Sequence, residues 1–334
     1  MLPMLMMVVA VSGCEEDPLA SELDSAGPPR VTAVAALSEA LVAGGASPAE
    51  ATVYCGSAED DKLSVICVGQ DGAAISPDPV ADVPPLGWYV RLVFSELLDA
   101  DRAEELVVVS DPRNPGEPQR DQYGDAVTRG TLERSQPVTL TCNGAAVAYD
   151  GFYNPSGNHL STPPGPSLVV QALGDVATGS ECEVAIRRGE TNPGFGVFDK
   201  SGNPIDPARR GPFSFRIAPM AIAGVMPMDG SEGIALDAVP AVTFNARVEA
   251  DSLNESDDPR IVLRTADGTA VAVVLDVQGA TVTVEPVDAL APETSYELVV
   301  NSGVSDVAGG PGLAVEGDSA VVSTFTTGPA DSGS

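Results

Sequence analysis

Positive charge is scarce in this chain: Lys and Arg total 17 against 48 Asp and Glu, for a formal net charge of -31. A surface of that sign repels phosphate backbones and anionic lipid head groups, which excludes nucleic acid as a partner. Histidine occurs once, as His159, and that removes most zinc sites and most acid–base designs. Aromatic residues are only 4% of the chain, so its cores have to rest on Val, Leu, Ile and Ala. Long apolar runs are lacking too. Met1 to Gly13 is almost wholly apolar, but its length is well short of the roughly 20 residues that cross a bilayer as a helix. Catalytic signatures are equally thin: there is no Gly-x-Ser-x-Gly elbow at a credible strand–helix turn, no Walker loop and no His-Glu-x-x-His helix. What remains is a folded globular composition, 43% hydrophobic and 19% charged over 334 residues, enough for about two domains.

The first residues carry an address. Residues 1–13 have the length of the apolar core of a secretion signal, although no Lys or Arg precedes the run. The small residues Ser12 and Gly13 stand directly before Cys14, where a peptidase cutting beside a modified cysteine needs room for the backbone. Val11-Ser12-Gly13-Cys14 resembles the lipobox of bacterial lipoproteins, and the resemblance implies that Cys14 is lipidated and becomes the new N-terminus. An ordinary signal peptide with a chance cysteine is the alternative. Residues 14–30 are acidic, rich in Pro, Gly and Ser and without apolar periodicity, which reads as a flexible tether reaching roughly 20 Å. Residues 329–334 read as a disordered tail.

Setting Cys14 aside leaves Cys55, Cys67, Cys142 and Cys182, an even set that allows three connectivities. Sequence proximity favours Cys55–Cys67, which leaves Cys142–Cys182. In Val138-Thr-Leu140-Thr-Cys142 and Cys182-Glu-Val184-Ala-Ile186 each cysteine shares a strand face with apolar neighbours, so the bridge is expected to tie two strands through a core. The cysteines lack the short spacing of a metal site.

From residue 85 onward the hydrophobic period is two. Val90, Leu92 and Phe94 alternate with Arg91, Val93 and Ser95, and Tyr296, Leu298 and Val300 alternate with Ser295, Glu297 and Val299. Asp267-Gly268 between Ile261–Leu263 and Val271–Leu275 reads as a hairpin turn. Val34 to Val42, whose composition also suits a helix, is read as the first strand. The pattern then repeats. One copy runs from Trp88 to Phe94, an Asp-rich turn, Phe198-Asp199-Lys-Ser-Gly-Asn-Pro and Phe213-Ser-Phe215. The other runs from Val242-Thr-Phe244 through Asp306-Val-Ala-Gly309 to Phe325.

Met226-Pro-Met-Asp-Gly230, Val242-Thr-Phe244, Leu290-Ala-Pro-Glu-Thr-Ser-Tyr296 and Val304-Ser-Asp306-Val-Ala-Gly309 resemble the bacterial Ig-like domain of the type named after the S-layer protein SbsA. The resemblance covers residues 219–328 and implies a seven-stranded sandwich with no catalytic residues. Residues 31–218 look like a divergent, disulfide-bearing relative with an N-terminal extension and long loops. The whole layout is similar to Ig-like lipoproteins of myxobacteria. An all-β chain of two tandem Ig-like β-sandwiches is therefore expected. The motif residues read as folding instructions: the Pro-Glu-Thr-Ser-Tyr turn delivers Tyr296 inward to a backbone partner, and each Asp-x-x-Gly supplies an acceptor and a turn glycine.

His159 lies in a turn-rich loop, so a triad built on it is a remote hydrolase reading. Asp60-Asp61 and Asp257-Asp258 are carboxylate pairs that a chain this acidic produces by chance. Asp99, Asp101 and Asp199 beside Asn203 offer hard oxygen ligands for calcium without a preorganised loop spacing. Arg187-Arg188 and Arg209-Arg210 suit neutralisation of neighbouring carboxylates or an anionic partner. Gly151-Phe-Tyr-Asn-Pro-Ser-Gly-Asn158 reads either as an exposed sugar-stacking loop or as an aromatic pair closing the sandwich edge. No catalytic, cofactor or metal residues are assigned. The expected protein is a non-enzymatic, lipid-anchored envelope protein held to membrane lipid through Cys14. Its modules would act as a spacer or as an interaction surface for an envelope protein or polysaccharide. A carbohydrate- or calcium-binding surface module is the alternative.

Overall fold

The computed structural model describes residues 27–38, 49–55, 81–98, 106–108, 110–111, 114–118, 128–130, 138–154, 166–187, 197–253 and 259–330. It is all-β, and the described residues contain short 3-10 turns but no α-helix. Two hydrophobic cores form, one drawn from Val31 to Ile217 and the other from Met220 to Phe325.

In the first sandwich one sheet has seven strands, in the order β2 (Ala49–Cys55), β1 (Val31–Ser38), β4 (Trp88–Phe94), β12 (Ser167–Ala172), β11 (Tyr149–Asn154), β8 (Thr128–Gly130) and β5 (Leu106–Val108). The facing sheet orders β10 (Ala145–Ala146), β9 (Val138–Cys142), β13 (Glu181–Ile186), β14 (Phe213–Ile217) and β3 (Ala81–Val83). A small ribbon pairs β6 (Ser110–Asp111) with β7 (Asn114–Pro118). Val90, Leu92 and Phe94 meet Leu140, Val184 and Phe215 in the core, where Trp88 stands edge-on to Phe215 with ring centres 5.6 Å apart. The stretch from Val34 whose composition also suited a helix is a strand at least to Ser38, because its β-branched and small residues pair on both sides, with β2 and β4.

Two expectations change here. Strand β4 does not alternate between core and solvent: Arg91 and Val93 are buried as well. The rows Ala35–Arg91–Val169 and Ala33–Val93–Ser167 cross the middle of the seven-stranded sheet and are covered on that face too. Arg91 Nη2 donates to Ser167 Oγ there at 3.2 Å, so the charge does not sit in an apolar layer without a partner. The disulfide Cys142–Cys182 is present, but it staples neighbouring strands of one sheet instead of crossing between layers. Register puts the two residues directly opposite, with Cα atoms 4.0 Å apart. Cys14, Cys67 and the side chain of Cys55 lie outside the described residues.

The second sandwich packs β15 (Ile222–Met226), β17 (Ala241–Phe244), β20 (Thr281–Pro286) and β19 (Val273–Gln278) on β16 (Ser231–Ile234), β22 (Ser319–Thr327), β21 (Ser295–Asn301) and β18 (Ile261–Thr265). Seven strands were expected and two four-stranded sheets form, because the first strand divides. Pro227 offers no N–H to continue β15. Asp229 Oδ1 then accepts from Thr324 N at 2.8 Å and Gly230 N donates to Thr324 O at 2.7 Å, which hands β16 to the opposite sheet. Asp267-Gly268 does turn the chain, with Gly268 at φ 90°. The expected hairpin lasts only one bridge, Arg264 to Ala270, before the chain crosses to become β19. Tyr296 arrives inward as expected: its hydroxyl accepts from Ala291 N at 2.8 Å and its ring stacks on Phe325.

Candidate functional site

The repeated Asp/Gly turn occupies the same place in both sandwiches. Asp199 bridges Leu98, four residues after Phe94, and Asp306 bridges Val248, four residues after Phe244. Both aspartates are buried. Their surroundings then diverge. Asp199 closes on its own turn, accepting from Asn203 N and Nδ2, each at 2.7 Å. In the second turn, Asp306-Val-Ala-Gly-Gly310-Pro311, the position of Asn203 is held by Gly310. Asp306 Oδ1 accepts from Ala308 N at 2.8 Å and Gly310 N at 3.1 Å, and Oδ2 has no local donor.

Thr178 of the first sandwich supplies that donor. It gives Asp306 Oδ2 two hydrogen bonds, from its backbone N at 2.8 Å and its hydroxyl at 2.6 Å. Burial raises the affinity of the Asp306 carboxyl for its proton, and the four hydrogen bonds from Thr178, Gly310 and Ala308 more than offset it, leaving the pKa below the usual aspartate value. Gly310 is what lets Thr178 in. A Cβ there would stand 2.6 Å from Thr178 Oγ1 and 2.8 Å from its backbone N, and closer still to Asp306 Oδ2. The turn of Thr178 is held by Gly179, whose φ is 73° and whose N donates to Ile217 O at 3.0 Å. Pro311 lies 3.4 Å from where a Cβ of Gly179 would be. Arg247 Nη1 reaches Asp175 Oδ2 at 3.0 Å on the rim, where exposure limits its contribution to about 0–1 kcal/mol. Among the described residues, the two sandwiches thus meet at a fully hydrogen-bonded buried carboxylate with a small ion pair beside it.

Residues 216–327 match a family of bacterial Ig-like domains. This Ig-like domain contains Asp306 and Gly310, and the match begins inside the last strand of the first sandwich. No curated protein matches the chain. Among solved structures, the crystal structure of Mycobacterium tuberculosis L,D-transpeptidase 1 is 16% identical over 32% of this chain and 38% of that one, with a TM-score of 0.21. A likeness that low carries nothing about fold or activity.

The other candidate residues do not converge on the joint or on one another. His159, Asp60, Asp61, Asp99, Asp101, Asp257, Asp258 and Arg188 lie outside the described residues. Gly151 to Asn154 is not an exposed loop but part of β11, inside the seven-stranded sheet. Tyr153 is buried, and its hydroxyl accepts from Leu98 N at 2.9 Å. Residues 155–158 lie outside the described residues. Both carboxylate oxygens of Asp199 are engaged by Asn203, and no group of three or more metal-ligating side chains gathers among the described residues. Arg187 and Arg210 line one shallow cleft with Thr139 and Pro212, and Arg210 Nε donates to the Pro207 carbonyl at 3.2 Å. The residue that sequence reasoning missed is Thr178. The available signal was the Asn-to-Gly change between two otherwise matching turns, Asp-Lys-Ser-Gly-Asn-Pro and Asp-Val-Ala-Gly-Gly-Pro.

Proposed function

We propose that this protein is a lipid-anchored envelope spacer, in which acylated Cys14 holds a tether and the two sandwiches present a module of fixed orientation above the membrane. The observation that carries the reading is the Thr178–Asp306 joint: a spacer has to resist bending, and a buried carboxylate with all its donors in place does so at small cost in area. The resemblance of Val11 to Cys14 to a lipobox, the acidic tether and the likeness to myxobacterial Ig-like lipoproteins support the anchor. The protein's own charge opposes adsorption to anionic lipid, so acyl chains have to supply the attachment. The Ig-like domain supports a structural or interaction role in place of catalysis.

The test is fractionation of cells making the full chain, with the intact mass of the extracted protein. The expected product starts at Cys14, carries acyl chains and stays with membranes, while Cys14→Ser is released. A soluble, unacylated product overturns the anchor. Small-angle scattering that fits only a broad spread of interdomain angles overturns the rigid spacer.

A further inference from the structure

The four edges of the second sandwich are not alike. On β15 the ladder is broken by a register shift between Ile222 and Gly224 and ended by Pro227. Strand β16 has a register shift between Ser231 and Ile234, with Gly233 at φ 70°. The outer side of β18 is already taken, by Thr265 N to Thr269 O at 2.9 Å and Val271 N to Leu263 O at 2.8 Å. These are the devices by which sheets avoid pairing with other chains. Strand β19 has none of them: six residues in unbroken register with β20, without proline, glycine, lysine or bulge.

The direction of its free groups follows from the ladder. Val284 N donates to Pro240 O and Phe244 N to Ala280 O, so even-numbered residues of β20 bond toward β17 and odd-numbered ones toward β19. Thr281, Thr283 and Glu285 face Gln278, Asp276 and Val274, which are therefore the bonded partners on β19. Val273, Leu275 and Val277 consequently aim their N–H and C=O groups outward, and among the described residues none of these has a partner. Charge is low here as well. In a chain of net charge -31, residues 269–284 contain a single charged side chain, Asp276.

We propose that β19 is a self-association edge, on which a second copy of this chain pairs antiparallel about a two-fold axis through Leu275. That register matches Val273 with Val277 of the second copy, Leu275 with its equivalent and Val277 with Val273. All the outward groups of these three residues are satisfied, in about six hydrogen bonds. It sets Val274 of each copy opposite Asp276 of the other and keeps the two aspartates apart, whereas a register centred on Asp276 would oppose like charges. A near-neutral edge is where two copies of so acidic a protein repel least. Val274 is 57% exposed, so its side chain lies on the solvent face of the sheet, where this register sets it beside Asp276 of the second copy. The proposal stands apart from the membrane anchor and does not depend on it.

The test is sedimentation velocity of the full chain from micromolar to millimolar concentration at physiological ionic strength, where the screening length is about 8 Å. A reversible monomer–dimer equilibrium is expected. Val274→Asp places carboxylates opposite each other twice per dimer and should weaken association by roughly tenfold or more. Adding Asp276→Lys to Val274→Asp should restore it. Thermal melts of both variants check that the fold is kept, as exposure of the two positions leads one to expect. A wild type that stays monomeric throughout overturns the proposal and leaves the edge to a strand of another protein. A dimer indifferent to Val274→Asp, or one that the double variant does not restore, overturns it as well.

Discussion

Thr178 and Asp306 are 128 positions apart in sequence, yet Asp306 Oδ2 takes both the backbone N–H and the hydroxyl of Thr178, at 2.8 and 2.6 Å. Removing the hydroxyl tests what this contact does. Thr178→Val keeps the shape of the side chain and deletes one donor to a charged acceptor, a loss on the order of 1.5–3 kcal/mol. The joint should loosen while each sandwich keeps its core. Residual dipolar couplings measured on the two halves are expected to lose their common alignment. Unchanged couplings would assign the orientation to the Arg247–Asp175 rim instead.

Gly310→Ala is expected to act more strongly than Thr178→Val, because the added Cβ meets backbone as well as side chain of Thr178. The converse change, Asn203→Gly, removes one side-chain donor to the Asp199 carboxylate within its own turn and should cost on the order of 1.5–3 kcal/mol with no effect on the joint. Amide exchange at Thr178 separates the two: faster in Gly310→Ala, unchanged in Asn203→Gly.

Asp306 also predicts an acid response. Its folded pKa lies below the ordinary aspartate value, so its contribution to the joint is complete above about pH 3.9 and is lost as pH falls through the folded value. Interdomain order should fail in that acid range, and Asp306→Asn should be loose already at neutral pH and show no such step.

Two tyrosines make the opposite prediction at high pH. Burial pushes Tyr149 and Tyr153 up to about 12, while unfolded tyrosine ionises near 10. Their contribution is complete below about pH 10 and is lost as pH rises from there through 12. Denaturant melts of the first sandwich should lose stability across that interval. Tyr153→Phe should flatten part of the slope and cost about 1–3 kcal/mol at neutral pH, since it strands the buried Leu98 N–H.

Reduction of Cys142–Cys182 opens a loop of separation 40, worth about 4 kcal/mol on the chain-entropy account. Calorimetry should show the first sandwich melting earlier under reducing conditions, with the Ig-like domain unchanged. Equal losses in both would mean that the joint makes them one cooperative unit.

Features governed by near neighbours were legible from residue order. The period of two marked strands such as Phe213–Ile217, the Pro-Glu-Thr-Ser-Tyr turn placed Tyr296, and the inward faces of Cys142 and Cys182 pointed to their bridge. Each follows from pleat alternation or turn chemistry spanning a few residues. The Gly151–Asn158 stretch was ambiguous for the same reason, since composition alone does not separate an exposed aromatic from one whose hydroxyl meets a distant N–H.

What residue order settled is therefore the local grammar: all-β, a repeated Asp/Gly turn, and an Ig-like domain over residues 216–327. Only tertiary structure decided that Arg91 is buried, that the first strand of the Ig-like domain divides between sheets, and that Asp306 reaches Thr178. Those outcomes depend on which surfaces meet across long stretches of chain. A carboxylate freed by one glycine in place of asparagine has no partner until folding brings the other sandwich against it.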